Sequence, residues 1–268
     1  MAERKILVSG AGSGLGFAFY TALGAVPLRR GTNFDDVGTA PSDPYDAIIH
    51  CAFSAAKNVT LGSVGSYLED NFLLTQRLLR IPHRKFVYIS TVDVYPRTGV
   101  LSHADDDTDI SPLSGPYAFT KLFSETVVVK EGMRALVLRP TTLLGSKMRP
   151  NSTLRLLTER NSRLFLSARS RFNYVLHDDI VRFVEHALRT DLAGIFNIAS
   201  STPILLGDVA SELGLSAEFG SYDYDVGLID QGPATSIEPS FSRSSALTLN
   251  KFIDGLGERF VGRGRLNA

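Results

Sequence analysis

The chain has 268 residues, enough for one large α/β domain or for one domain with a small lobe. Hydrophobic residues make up 44% of it and its formal net charge is zero, which excludes a disordered chain and a broad nucleic-acid-binding surface. Cys51 is the one cysteine, so an internal disulfide and a cysteine-rich metal site are excluded as well. Residues 1–5 lead directly into a strand without the long apolar stretch of a signal peptide, and no apolar run reaches membrane-spanning length. The expectation is a cytoplasmic protein with no membrane or nucleic-acid partner.

Residues 5–9 (Lys-Ile-Leu-Val-Ser) predict a short buried strand. The string Gly10-Ala11-Gly12-Ser13-Gly14-Leu15-Gly16 then opens a helix ending near Leu23. Residues 26–29 predict a second short strand. Residues 31–44 are polar and rich in Gly, Pro and Asp, very short for the second half of a nucleotide-binding unit, so a helix is expected to be missing there. Residues 46–51 predict a strand, 66–79 a helix, 86–90 a strand, 115–129 a helix and 135–138 a strand. A helix over 180–188, capped by Asp178 or Asp179, precedes a strand over 195–199 and a helix over 206–213. Residues 216–243 are irregular and are assigned to a substrate-side lobe. Continuous apolar strands alternating with helices predict a doubly wound, Rossmann-like parallel α/β sheet covered on both faces. Residues 1–145 would form mainly a dinucleotide-binding core. Residues 146–268 would complete that core and add a small C-terminal substrate lobe.

Two strings carry chemistry. Glycines between a strand and a helix let the backbone approach a pyrophosphate, and the helix N-terminus offers free N–H donors. The plain alternative is a tight turn with no ligand; the strand-to-helix context favours the dinucleotide. Tyr117 and Lys121 stand four apart, so on a helix they share a face. A free tyrosine has a pKa of about 10, and a nearby cation favours the phenolate. The spacing suits a tuned acid/base. It arises by chance in many helices, and its weight comes from the glycine turn upstream.

More strings follow in order: His50-Cys51-Ala52-Phe53, Asn71-Phe72-Leu73-Leu74-Thr75, Ser90-Thr91-Val92-Asp93-Val94-Tyr95, Leu138-Arg139-Pro140-Thr141-Thr142-Leu143-Leu144-Gly145, Tyr174-Val175-Leu176-His177-Asp178-Asp179 and Gly194-Ile195-Phe196-Asn197-Ile198. With the glycine turn and Tyr117 to Lys121, this series resembles the extended short-chain dehydrogenase/reductases, the branch of nucleotide-sugar epimerases, dehydratases and reductases. The resemblance implies Tyr117 as general acid/base. It implies Lys121 as a ligand of the nicotinamide ribose that lowers the tyrosine pKa, and Thr91 as a hydrogen-bond partner of the reacting oxygen. Ser90 is read as structural. The resemblance also puts cofactor on Gly10, Ser13, Gly14, Leu15, Gly16, Ala52, Phe53 and Pro140, and substrate on Thr91 and Thr142, with Arg171 a further candidate. Asn71 either supports the helix of Lys121 through a buried hydrogen bond or is a solvated helix residue. Three features depart from the branch. Ser13 takes the middle glycine's place, giving the spacing of the smaller single-domain branch. Thr142 replaces an asparagine, and the region before Asp46 is truncated.

The five histidines show no ligand spacing. His50 reads as a packing residue and His177 as structural rather than site-lining. Asp105, Asp106, Asp107 and Asp109 lack the glycine and distal glutamate of a calcium loop and read as a solvated acidic loop. No metal site is expected.

The second strand ends in Pro27-Leu28-Arg29-Arg30 with no carboxylate, which predicts NADP(H) in preference to NAD(H), since arginine suits a 2′-phosphate. The expected activity is an NAD(P)-dependent oxidoreductase or epimerase. Reduction of a keto group on a nucleotide-linked sugar is favoured, because the Thr91 segment resembles the Ser-Thr-Asp-x-Val-Phe of 4-keto-sugar reductases. The alternatives are a non-enzymatic NADP(H) sensor and a small-molecule ketone reductase. A homodimer is compatible with this reading.

Overall fold

The computed structural model describes residues 4–267 except 33, 39–41, 55, 57, 98, 108 and 114. Six apolar segments form one sheet: β1 (Ile6–Ser9), β2 (Val26–Leu28), β3 (Ala47–His50), β4 (Phe86–Ile89), β5 (Leu136–Pro140) and β6 (Gly194–Ile198). Their order is β6-β5-β4-β3-β1-β2, and every adjacent pair is parallel. The runs lack polar alternation because both faces are covered. Ile6, Val8, Ile49, Val87, Ile89 and Leu138 pack on one side with Leu15 and Phe19 of α1 (Gly14–Leu23) and with Ile180, Phe183 and Val184. Leu7, Ile48, Phe86, Tyr88 and Val137 pack on the other with Leu78 and with Val128 of α2 (Pro116–Glu131). Strand order reverses at β1, with β2 on one side and β3 on the other. Such a switch point leaves a crevice at the carboxyl ends of the strands.

Four segments differ from the sequence expectations. Residues 31–44 keep one helical turn, Phe34–Val37, instead of losing their helix altogether. β2 is the edge strand on the β1 side among the described residues, which leaves the nucleotide-binding half one strand short. The helix predicted over 66–79 is interrupted. Val64–Leu68 and Leu74–Leu79 are α-helical, but Glu69–Leu73 is a π-turn, a feature that opens the carbonyl ladder. The helix predicted over 180–188 starts earlier, as α3 (His177–Thr190), with Leu176 at its N-cap and no side-chain cap. Asp178 and Asp179 lie inside its first turn, and Asp179 instead binds Arg182 and Arg243. Finally, residues 216–243 are structured. Ala217–Tyr222 is a strand parallel to Ser162–Leu166, half-exposed and therefore without a buried-strand signature. Ala234 and Phe241 join the central core beside Phe183, so part of this segment serves the sheet and not a lobe.

A second apolar cluster gathers residues from Leu144 to Leu266, including Leu156, Leu164, Tyr174, Leu206 and Leu249. It packs beside the carboxyl end of β5 through the short strand Thr142–Leu144, paired with Tyr174–Leu176. Below that junction, Arg139 and Glu125 form a buried ion pair at 2.7 Å. Arg139 Nη1 also donates to the Tyr95 hydroxyl at 2.6 Å, so α2, β5 and the Tyr95 turn are tied by one guanidinium.

Candidate active site

The strand ends enclose a cleft of about 950 Å³, reached by Gly10 after β1, Arg29 after β2, Phe53 after β3, Thr91 after β4 and Thr142 after β5. Its floor at one end is the glycine turn. Gly10 and Gly14 take left-handed backbone, φ +74° and +54°. A Cβ on Gly16 would stand 2.4 Å from the Gly10 carbonyl oxygen, and one on Gly10 would stand 2.9 Å from Ala52 N, so both must be glycine for the turn to close. Gly12 and Gly14 instead face open space. Ser13, the N-cap of α1, makes no capping bond with its side chain. The open backbone and helix N-terminus fit a dinucleotide pyrophosphate.

Behind this floor lies a buried polar bracket. Ser9 Oγ accepts from Cys51 N at 3.1 Å and Ala52 N at 3.2 Å, which leaves its proton for His50 Nδ1 at 2.7 Å. His50 Nε2–H then donates to Thr75 Oγ1 at 3.0 Å. Thr75 lies 3.5 Å from Ser124 Oγ, which donates to the Asn71 carbonyl at 3.0 Å. Burial holds His50 neutral, its pKa down to about 3. His50 is thus a hydrogen-bonded link and not merely a packing residue. Asn71 is buried, and its side chain clasps the Ser54 backbone, Oδ1 accepting from Ser54 N at 2.6 Å. Its support of α2 runs through its backbone carbonyl, made available in the π-turn.

At the other end, Thr91 caps a short turn by accepting from Asp93 N at 3.2 Å; its hydroxyl donates to Asp93 Oδ2 at 3.3 Å and lies near enough to the Tyr117 phenol to lower its pKa. The Tyr117 ring packs on Phe53 at 5.6 Å between centroids. Lys121 Nζ donates to the Ile89 carbonyl at 2.7 Å and sits 4.9 Å from the rings of both Phe53 and Tyr88. Burial lowers the Lys121 pKa to about 8. The Tyr117 pKa is raised, first by burial and then by Asp93, with the Thr91 hydroxyl and Arg149 opposing. The expected lowering by Lys121 is therefore corrected: the ammonium is turned to Ile89, and burial wins. The Cys51 thiol, also on the cleft wall, is pushed up to about 12 by burial.

Gly10, Ser13, Gly14, Leu15, Gly16, Arg29, Arg30, Ala52, Phe53, Thr91, Tyr117, Lys121, Pro140 and Thr142 all line this one cleft. Arg171 does not; its guanidinium is held by Asp225 at 3.0 and 2.9 Å. His177, for which the sequence favours a structural role over a site-lining one, does line the cleft. It is 2% exposed, its Nδ1 has no hydrogen-bond partner among the described residues, and its ring packs on Gly145, where a Cβ would fall 2.2 Å from Nδ1. Burial lowers its pKa to about 4. At the Arg29 end, Arg30 pairs with Asp70 and Arg77 with Glu69, each at 2.7 Å. The carboxylates absent from the end of β2 thus arrive from the π-turn. Sequence reasoning also missed Met148, Arg149 and Tyr224 on the cleft wall; the trace of the first two was a basic pair, Lys147 and Arg149, just past Gly145. The acidic loop is exposed at Asp105 to Asp107, and among the described residues no group of His, Cys, Asp or Glu is placed to hold a metal ion.

The model of the NAD dependent epimerase/dehydratase family matches residues 30–199. The chain belongs to that family. The matched segment holds the Thr91, Tyr117 and Lys121 cluster and begins after the glycine turn. A dTDP-glucose 4,6-dehydratase of Streptomyces niveus is 29% identical over 124 residues, covering 42% of this chain and 36% of that protein. The chain spans less than half the length of the curated relatives it matches. Among solved structures, UDP-glucuronic acid 4-epimerase from Bacillus cereus in complex with UDP-glucuronic acid and NAD superposes with a TM-score of 0.73 at 20% identity, over 94% of this chain and 99% of that one. RMD from Pseudomonas aeruginosa, complexed with NADPH, gives 0.70 at 18% identity, over 94% and 99%. At such identities the likeness shows the fold, a Rossmann-like sheet with flanking helices. Among the described residues no helix is long and apolar enough to cross a membrane.

Proposed function

We propose that this chain is an NAD(P)(H)-dependent oxidoreductase that reduces a keto group on a nucleotide-linked sugar. The observation that carries the reading is the hydroxyl pair of Thr91 and Tyr117 beside Lys121, in a cleft whose far floor is the glycine turn. Reduction of a ketone needs a proton donor at the new alkoxide. The raised pKa of Tyr117 keeps the phenol protonated, the form that donates. Thr91 stands beside the phenol and would donate its own hydroxyl to the same oxygen. Lys121 keeps the site cationic up to about pH 8 and would meet the ribose hydroxyls. The nicotinamide, when bound, supplies the hydride. The family's dehydratases and epimerases give a second reading. An elimination would call for an acid/base beyond tyrosine. Asp93 is the one carboxylate at this end among the described cleft residues, and Arg97 binds it at 2.5 Å. That occupancy favours reduction or epimerisation over dehydration.

We also propose that NADP(H) is preferred to NAD(H), with Arg29 and Arg30 at the 2′-phosphate. Arg30 would exchange Asp70 for that phosphate, and Arg29, which lies 5.8 Å from the Tyr20 ring, has no carboxylate partner among the described residues. The test mixes purified protein with each reduced cofactor and a panel of keto-sugar nucleotides. Net oxidation of NADPH, faster than of NADH, is expected. Interconversion without net cofactor change would mean epimerisation. Turnover of free ketones alone would mean a small-carbonyl reductase, and binding without any turnover a sensor.

A further inference from the structure

The segment that follows Thr142–Leu144 crosses the cleft as a strap with two fastenings. Near the glycine turn, the Lys147 carbonyl accepts from Gly14 N at 2.7 Å, so it occupies an N–H at the start of α1. Lys147 is held there with φ +52°, a left-handed conformation that a non-glycine residue rarely adopts. Across the cleft, Arg149 Nη2 donates to the Phe53 carbonyl at 3.1 Å, and the guanidinium lies 4.4 Å from the Phe53 ring centroid. Pro150 and Asn151 fix the strap just beyond, Asn151 Oδ1 capping the next helix at Leu154 N, 2.8 Å away. Charge accounting leaves two cleft arginines without a carboxylate among the described residues, Arg29 at the end of β2 and Arg149 on the strap, and Arg149 is the one that holds the strap to the cleft wall. Among the cleft cations, Arg30 and Arg77 have carboxylate partners and Lys121 donates inward to Ile89. Arg149 is exposed and, among the described residues, has no carboxylate within ion-pair distance. Its one side-chain hydrogen bond among the described residues is to a backbone carbonyl, a weak use of a five-donor fork.

We propose that Arg149 is a diphosphate-binding residue: its guanidinium leaves the Phe53 carbonyl for the phosphate oxygens of a diphosphate ester bound in the cleft, unfastening the strap on that side. This rests on the nucleotide-sugar reading above. A planar fork suits two phosphate oxygens, and a charged acceptor outcompetes a carbonyl. Two sources share this chemistry, the dinucleotide cofactor and the nucleotide sugar. The test separates them by equilibrium binding. Calorimetry or NADPH fluorescence gives the affinity of wild type, R149Q and R149K for NADPH, and for reduced nicotinamide riboside, which has no phosphate. UDP is then titrated into the NADPH-saturated proteins. R149Q can still donate to Phe53 but carries no charge, and its unfolding midpoint, read by circular dichroism, reports whether it is folded.

The expected result is about a tenfold or larger loss in R149Q, smaller in R149K, of affinity for NADPH or for UDP, with nicotinamide riboside unaffected and the wild-type advantage shrinking as salt rises. Loss on NADPH places the cofactor's diphosphate at Arg149; loss on UDP alone places the nucleotide sugar's. Equal affinities of folded R149Q and wild type for both ligands overturn the inference. So does a loss confined to UDP-glucuronic acid, with UDP and UDP-glucose unchanged, because it would assign Arg149 to a sugar carboxylate. A wild-type chain that binds neither NADPH nor UDP ends the nucleotide-sugar reading itself, which sets that failure apart.

Discussion

Tyr117 shows how far a residue's chemistry depends on its surroundings. Its spacing from Lys121 suggests a phenol made acidic by an ammonium, and the folded site does the reverse. Burial and Asp93 raise its pKa, while Lys121 spends a proton on Ile89 O at 2.7 Å. Under the reduction proposed above, the phenol would give a proton and not take one. Tyr117→Phe should retain cofactor binding and lose turnover by about 10²- to 10⁴-fold, the usual worth of a general acid. Steady-state rates and NADPH binding measured on the same preparation decide it; full activity would end the assignment. Arg171 teaches a related lesson at this scale. Its charge suggests a substrate contact, but a bidentate pair with Asp225 uses both faces of the fork.

Among the elements, the interrupted helix does the most to build the site. Its π-turn supplies Glu69 and Asp70 to the Arg29 end of the cleft, the Asn71 side chain to the loop after β3, and the Asn71 carbonyl to α2. A regular helix over 66–79, as periodicity predicts, would have kept that carbonyl in its own ladder. The bracket from Ser9 through His50, Thr75 and Ser124 then locks β1, β3, this helix and α2 together at the cofactor floor. Thr75→Val keeps the shape but removes the partner of His50 Nε2–H, leaving a buried donor unsatisfied. A cost of about 1–3 kcal/mol is expected, read as a lower urea midpoint with an unchanged slope. A variant as stable as wild type would show that the bracket contributes nothing net.

For the whole molecule, His50 and His177 couple the fold to pH. Burial is the first cause of both shifts, holding them near pKa 3 and 4 against about 6.5 in the unfolded chain. Below about pH 6.5 the unfolded chain takes up protons that the folded chain refuses, so stability falls as pH falls. The slope approaches about 1.4 kcal/mol per pH unit for each histidine and flattens once pH passes below the folded pKa values. Urea midpoints between pH 7 and 4.5 should therefore drop in wild type and drop less steeply in His50→Gln. Parallel curves for the two proteins would remove His50 from this account.

The sequence by itself determined the parallel sheet, the glycine turn, the positions of Thr91, Tyr117 and Lys121, and the membership of the chain in its family. These features rest on local spacing and on apolar runs, which hold regardless of what packs against them. Periodicity also made the helices legible, but not the π-turn, because a one-residue widening answers to a partner on α2. Tertiary structure alone decided the protonation of Tyr117, the carboxylate facing Arg30, the entry of His177 and Arg149 into the cleft, and the diversion of Arg171 to Asp225. Each of these depends on burial or on a partner tens of residues away in the chain, and desolvation and ion pairing are set by distances in space that local sequence does not encode.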